Sequence, residues 1–156
     1  EDDTSESLHD KLARIGAELL VETLRRIEES TINSVSQDHS QATSVPMLKK
    51  EDGLIDWSEG CRHISNKIKG LLPWPGAFTR LRGKRLKIFK GVPLEGGTQV
   101  TSPGTVSETN YKGIKVSTGD GSLMIKELQL QDHKRMMVAN FLRGHKDKVA
   151  VGTILK

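Results

Sequence analysis

The chain has 156 residues, 35% of them hydrophobic, with a formal net charge of +4 and one cysteine. That length suits one domain, or one domain with an appendage, and is enough to bury a core; a lone cysteine excludes an internal disulfide, and no apolar run approaches the ~20 residues that span a membrane. The charge is unevenly placed, because residues 1–50 carry 6 Lys and Arg against 10 Asp and Glu while residues 51–156 carry 18 against 10, an acidic head on a basic body suited to electrostatic capture of a polyanion.

The opening EDDTSESLHDKL is acidic and already helical in pattern, so no charged-then-apolar targeting leader is expected in it. Leu8, Leu12, Ile15, Leu19, Leu20, Leu24 and Ile27 recur at steps of three and four, which predicts one amphipathic helix ending near Glu28-Glu29. Asp3-Thr4, with Glu6 and Ser7 behind them, supply N-capping chemistry. A single helix with an open apolar stripe is not stable alone. The next stretch, STINSVSQDHSQATSV at residues 30–45, is polar and without apolar period, which reads as a linker. The helix is therefore expected to belong to a body that this sequence does not contain.

From Met47 the character changes. LIDWS predicts a short extended piece ending at Ser58, an expected helix N-cap, and Cys61, Ile64, Ile68, Leu71 and Leu72 then line one face of a second helix closed by Gly70 and Pro73. PWPGAF cannot continue it, which leaves Trp74 as either a core plug or an exposed platform.

The next segment, FTRLRGKRLKIFK, holds six cations and no acid between Arg80 and Lys90. Leu81, Leu86 and Ile88 alternate with charges at the period of a half-buried strand, and Gly83-Lys84 predicts a two-residue hairpin turn. That turn would set Arg82 opposite Arg85, Arg80 opposite Lys87 and Phe78 opposite Phe89, with cations and both rings on the face away from the core. Like charges directly opposite destabilise a sheet, so an anion-binding face is one reading. A solvated edge hairpin that resists edge-to-edge pairing is the other.

Gly104 to Glu108, Ile114 to Thr118 and Ser122 to Leu130 read as further strands, the last two joined by a turn at Asp120-Gly121. A last helix is expected over Met136 to Gly144, with Met137, Phe141 and Leu142 apolar, and VGTIL as a closing strand. LEGG at Gly96-Gly97 resembles a turn. The expected fold class is mainly β with helices (α+β): a small open β-barrel resembling an oligonucleotide-binding fold, with a flat α+β sandwich as the alternative. Catalytic chemistry is thin. His9, His39, His63, His133 and His145 are scattered, no metal-ligand spacing occurs, Cys61 lies on an apolar helix face, and no acidic pair reads as an acid–base couple.

In order, SLHDKLARIGAELLVETL, LKKEDGLIDWS, IKGLLPWPGAFTRLRGKRLKIFKG, PGTV, GIKVSTGDGSLMIKELQLQ, KRMMVANFLRG and GTIL resemble the C-terminal half of the methionyl-tRNA formyltransferase family, from Thr4 to Leu155. The Ile55-Asp56-Trp57 trio, the Pro73-Trp74-Pro75-Gly76 turn and the Thr118-Gly119-Asp120-Gly121 hairpin carry the resemblance together. It implies a two-part enzyme that moves a formyl group from 10-formyltetrahydrofolate to the methionine of initiator Met-tRNA. Residues 1–29 would be the closing helix of a catalytic domain, 30–46 a linker and 47–156 a tRNA-binding barrel. The catalytic Asn, His and Asp of the family have no counterpart here, so this part is expected to be inactive alone, to bind no folate and no metal, and to be a monomer. A cytoplasmic setting is expected, with an organellar matrix as the alternative.

On this reading Arg80, Arg82, Lys84, Arg85, Lys87 and Lys90 contact tRNA phosphates, and Phe78 and Phe89 support the arginine planes, stack on a base, or merely cover the sheet edge. Lys49, Lys50, Lys134, Arg135, Arg143 and Lys146 are weaker candidates. Three alternatives stay open: the barrel of a folate-dependent formyltransferase acting on another amine such as a nucleotide sugar, a stand-alone nucleic-acid-binding module, and a dimerisation fragment whose interface is the Leu8–Ile27 stripe.

Overall fold

The computed structural model describes residues 3–96 and 101–156. It divides into two compact units, Glu1–Leu48 and Lys49–Lys156. In the first, helix α1 spans Ser5–Glu28. Thr4 caps it: its hydroxyl accepts from the Ser7 N–H, and the Ser7 hydroxyl accepts from the Thr4 N–H, a reciprocal box. No residue of α1 is buried within its unit, and Leu12, Ile15, Leu19, Leu20 and Leu24 each stay more than half exposed. Residues 32–48 carry only one short 3-10 turn, at His39–Gln41.

The second unit is an antiparallel sheet with two helices. Its elements are α2 (Cys61–Gly70), β1 (Phe78–Leu81), β2 (Lys84–Leu94), β3 (Val106–Asn110), β4 (Gly113–Ser117), β5 (Ser122–Leu130), β6 (Met136–Met137) and α3 (Val138–His145). The strand order is β1-β2-β5-β4-β3, with β6 on β5. The sheet is open, in keeping with the expected open barrel. Alternation, interrupted once where the β2–β5 pairing shifts register between Ile88 and Gly91, sets its core face: Leu81, Leu86, Ile88, Val106, Ile114, Val116, Leu123, Ile125, Leu128 and Leu130 are buried, joined by Ile64 and Ile68 of α2 and Phe141 of α3.

Four details depart from the sequence reading. Helix α2 starts after Gly60, not Ser58, because the Asp56 carboxylate accepts from both the N–H and the hydroxyl of Ser58 and holds it in a turn. Met136-Met137 pair with β5 as a strand, so the last helix begins at Val138. VGTIL forms no regular strand; it makes one bridge, Thr105 to Ile154. Residues 152–156 nonetheless run between the two edge strands. Thr153 and Val106 are backbone-bonded, as are Leu155 and Gly104, and Lys156 exchanges both backbone bonds with Arg80. The fourth departure is the hairpin register, described below. Gly97 of the expected LEGG turn lies outside the described residues.

The DWS and TGDG segments are structural. Trp57 is buried, and its indole N–H donates to the Thr79 hydroxyl (3.0 Å), which donates in turn to the Lys156 carbonyl (2.9 Å). Thr79→Val keeps the volume but leaves that indole N–H without a partner and the Lys156 carbonyl with only the Arg80 N–H. We expect a loss of roughly 1–3 kcal/mol, read as a lower urea midpoint at unchanged slope; an unchanged midpoint would show the relay to be dispensable.

Candidate nucleic-acid interface

The hairpin turns at Arg82-Gly83, one residue earlier than the expected Gly83-Lys84. Both turn residues have positive φ, +51° and +82°, as a type I′ turn requires. Arg80 therefore faces Arg85 across the ribbon and Phe78 faces Lys87, while Thr79 faces Leu86 on the core side. The two registers differ by two residues in pairing, so both bury the same leucines; the hydrophobic pattern does not distinguish them.

The expected cations separate into three groups. Arg80, Arg85 and Lys87 share the outer face of β1 and β2. There they line an open groove of about 470 Å³ with Gln129, Gln131 and Asp132 from the end of β5. Arg82 and Lys84 sit at the tip, where the Arg82 guanidinium donates to the Asp147 carbonyl at 2.9 Å. Lys90 stands apart, displaced by a bulge at Phe89 and paired in register with Glu127. The Arg135 guanidinium, hydrogen-bonded to both oxygens of Glu127 at 2.8 Å, holds that carboxyl below the usual carboxylate range; burial opposes the shift and the Lys90 charge adds to it. Lys90 thus faces an acid already engaged, whereas the groove holds three cations and only Asp132 of opposite sign.

Both phenylalanines act as arginine supports. The Arg85 guanidinium lies 4.4 Å over the Phe78 ring and Arg135 lies 4.3 Å over Phe89. Phe78 is itself 7% exposed, so its ring serves as a floor beneath Arg85 and not as a platform for a base. Gly53 packs against that ring, because a Cβ there would stand 3.1 Å from it. Gln131 fixes the β2 end of the groove, donating its N–H to the Arg85 carbonyl (2.8 Å) and accepting from the Arg85 N–H (3.3 Å). Trp74, left open between two roles, is 54% exposed.

Sequence reasoning did not single out Gln129, Gln131, Lys148 and Lys156, which lie near the hairpin. Lys156 arrives through the C-terminal segment and Lys148 through the turn after α3, contacts that no local pattern announces. His133 and His145 lie together with ring centroids 5.1 Å apart. Burial, then the charges of Lys148 and His133, push the His145 imidazole below the usual histidine range.

The family described as "Formyl transferase, C-terminal domain" matches residues 47–146. Methionyl-tRNA formyltransferase of Acetivibrio thermocellus is 41% identical over 155 residues, covering 99% of this chain and 49% of that protein. The enzymes of the same name from Geotalea uraniireducens and Trichlorobacter lovleyi are 44% and 45% identical over 154 residues, covering 48% and 47% of their lengths. The chain spans about half the length of the curated relatives it matches. Among solved structures, HypX from Aquifex aeolicus superposes with a TM-score of 0.61 at 20% identity, over 88% of this chain and 24% of that one; a likeness at that identity carries the fold alone.

Proposed function

Because this chain belongs to the formyl transferase C-terminal domain family, we propose that it is the tRNA-holding part of a methionyl-tRNA formyltransferase. The whole enzyme would pass the formyl group of 10-formyltetrahydrofolate to the amino group of initiator Met-tRNA. Residues 47–156 would supply affinity for the tRNA backbone and no chemistry, and no folate would bind here. Residues 1–29 would close the catalytic domain and 30–46 would link it to the barrel. The uncovered stripe of α1 supports that assignment, since an amphipathic helix of this kind is stable when its apolar face is packed. Among the described residues no helix is long and apolar enough to cross a membrane; a cytoplasmic setting as a monomer fits a tRNA-dependent reaction.

One observation carries the binding role. Arg80 and Arg85 face each other directly on the outer sheet face, with Lys87 beside them. A fold with no use for that face would intersperse acids there. Phosphates are the natural counter-charge, and each one neutralised releases condensed counterions.

The test is binding of the 156-residue chain to initiator methionyl-tRNA across a salt series. With about four phosphates neutralised, affinity falls roughly a hundredfold between about 50 and about 200 mM salt. Absence of binding, or an affinity flat in salt, would overturn the proposal.

A further inference from the structure

The groove on the outer sheet face has two unlike walls. Arg80, Arg85 and Lys87 form the wall on β1 and β2, while Gln129, Gln131 and Asp132 form the other at the end of β5. Lys87 stands directly opposite Gln129 in the sheet, and the Arg85 backbone is bonded to both the backbone and the side chain of Gln131. The sheet itself therefore fixes the spacing of the walls. Phosphates account for the first wall and leave the second unexplained.

Asp132 is the sharper anomaly. It is exposed in a groove with three cations, yet among the described residues its carboxylate makes no ion pair or hydrogen bond with them. The backbone gives no reason for an acid there. Asp132 is the third residue of a turn closed by the His133 N–H on the Leu130 carbonyl (3.0 Å), at φ +66°, a position that glycine or asparagine fills as well. Beside it, the Gln131 side-chain oxygen accepts from the Arg85 N–H, which leaves its amide nitrogen as a donor. The Gln129 amide is already given to the His133 carbonyl at 2.8 Å.

An ionised carboxylate only accepts hydrogen bonds, so it has no use for a phosphate and needs donors on a base. Unpaired guanine presents two side by side, N1–H and the N2 amino group, matched to the two carboxylate oxygens. Cytosine and adenine set an amino group beside an acceptor nitrogen, and uracil flanks its one N–H with two carbonyls. Each of those turns a lone pair toward the second carboxylate oxygen. These edges are open only where RNA is unpaired.

We propose that the groove seats one unpaired guanosine of the bound RNA. Asp132 accepts from its N1–H and N2 amino group, and Arg80, Arg85 and Lys87 hold the neighbouring phosphates. This rests on the tRNA-holding role proposed above and adds a base that is read. The groove, about 470 Å³, has the size of a small-molecule site.

The 156-residue chain and its Asp132→Asn variant are each titrated with three oligouridine probes of about 12 nucleotides, within the site size of a barrel of this class. One carries a single central guanosine, one a central inosine, which keeps N1–H and lacks the N2 amino group, and one is uridine throughout. Wild type is expected to bind the guanosine probe about tenfold more tightly than the all-uridine probe, with inosine between them. Asp132→Asn binds those two within about twofold of each other, and holds all-uridine at least as tightly as wild type does, because a negative charge has left a cationic groove. Its melting temperature is unchanged, since asparagine tolerates the same positive φ.

A variant that gains affinity equally for all three probes would overturn the inference, because the carboxylate would then only temper the charge of the groove. Wild type that binds guanosine no better than inosine, or no better than uridine, would overturn it too. So would a wild type that holds initiator tRNA and none of the oligonucleotides. A wild type that binds neither would instead refute the tRNA-holding role itself.

Discussion

Gly119→Ala is expected to cost the barrel more than about 3 kcal/mol, enough to unfold a marginal domain. A Cβ at Gly119 would stand 1.7 Å from the Ser58 carbonyl oxygen and 2.6 Å from its carbon. Both are backbone atoms, so no side-chain rotation relieves the clash. The two segments would have to part, and what joins them is specific: the Gly119 N–H donates to the Glu59 carbonyl (2.9 Å) and the Cys61 N–H to the Asp120 carbonyl (3.0 Å). Losing both leaves the first turn of α2 unanchored, with Cys61 and Ile64 still required in the core. Gly144→Ala is the control. A Cβ there meets nothing within 4 Å and lies inside α3, so it should be neutral or stabilise by up to about 1 kcal/mol. Urea midpoints of the two variants check this; equal midpoints would show that the TGDG turn bears no weight in the fold.

That contact explains what the sequence does and does not announce. Periodicity announces α1, α2 and the strands, because a stripe at three-and-four spacing or a strict alternation has one burial solution. It does not announce which backbone another backbone will touch. Gly119 looks like an ordinary turn glycine until Ser58 arrives beside it, and Ser58 looks like an N-cap until Asp56 takes its hydroxyl. The hairpin shows the same limit. Leu81 and Leu86 declare a core face, but a two-residue slip keeps that face intact, so Arg80 meets Arg85 where Lys87 was expected. At the candidate interface, charge density was legible and its division was not. Lys90 reads like its five neighbours until the bulge at Phe89 sets it against Glu127, and Lys148 and Lys156 reach the hairpin through tertiary contacts alone.

The division has a consequence for affinity. Changing Arg80, Arg85 and Lys87 together to Gln should weaken initiator tRNA binding about a hundredfold near 0.1 M salt and lower the log–log slope by between about 2 and 3. Lys90→Gln should change affinity by less than about threefold, because the bulge at Phe89 displaces Lys90 and it does not line the groove of Arg80, Arg85 and Lys87. Loss of fold does not explain the expected difference. Arg80 and Arg85 repel each other across the ribbon, so neutralising them should leave the melting temperature unchanged or raise it, offset in part by the lost stacking of Arg85 on Phe78. A chain that melts as before yet binds far more weakly marks groups held in place against the interest of stability, as a binding surface requires. If the triple variant binds as wild type does, the outer face is not the interface, and the like-charge pair at Arg80 and Arg85 needs another explanation.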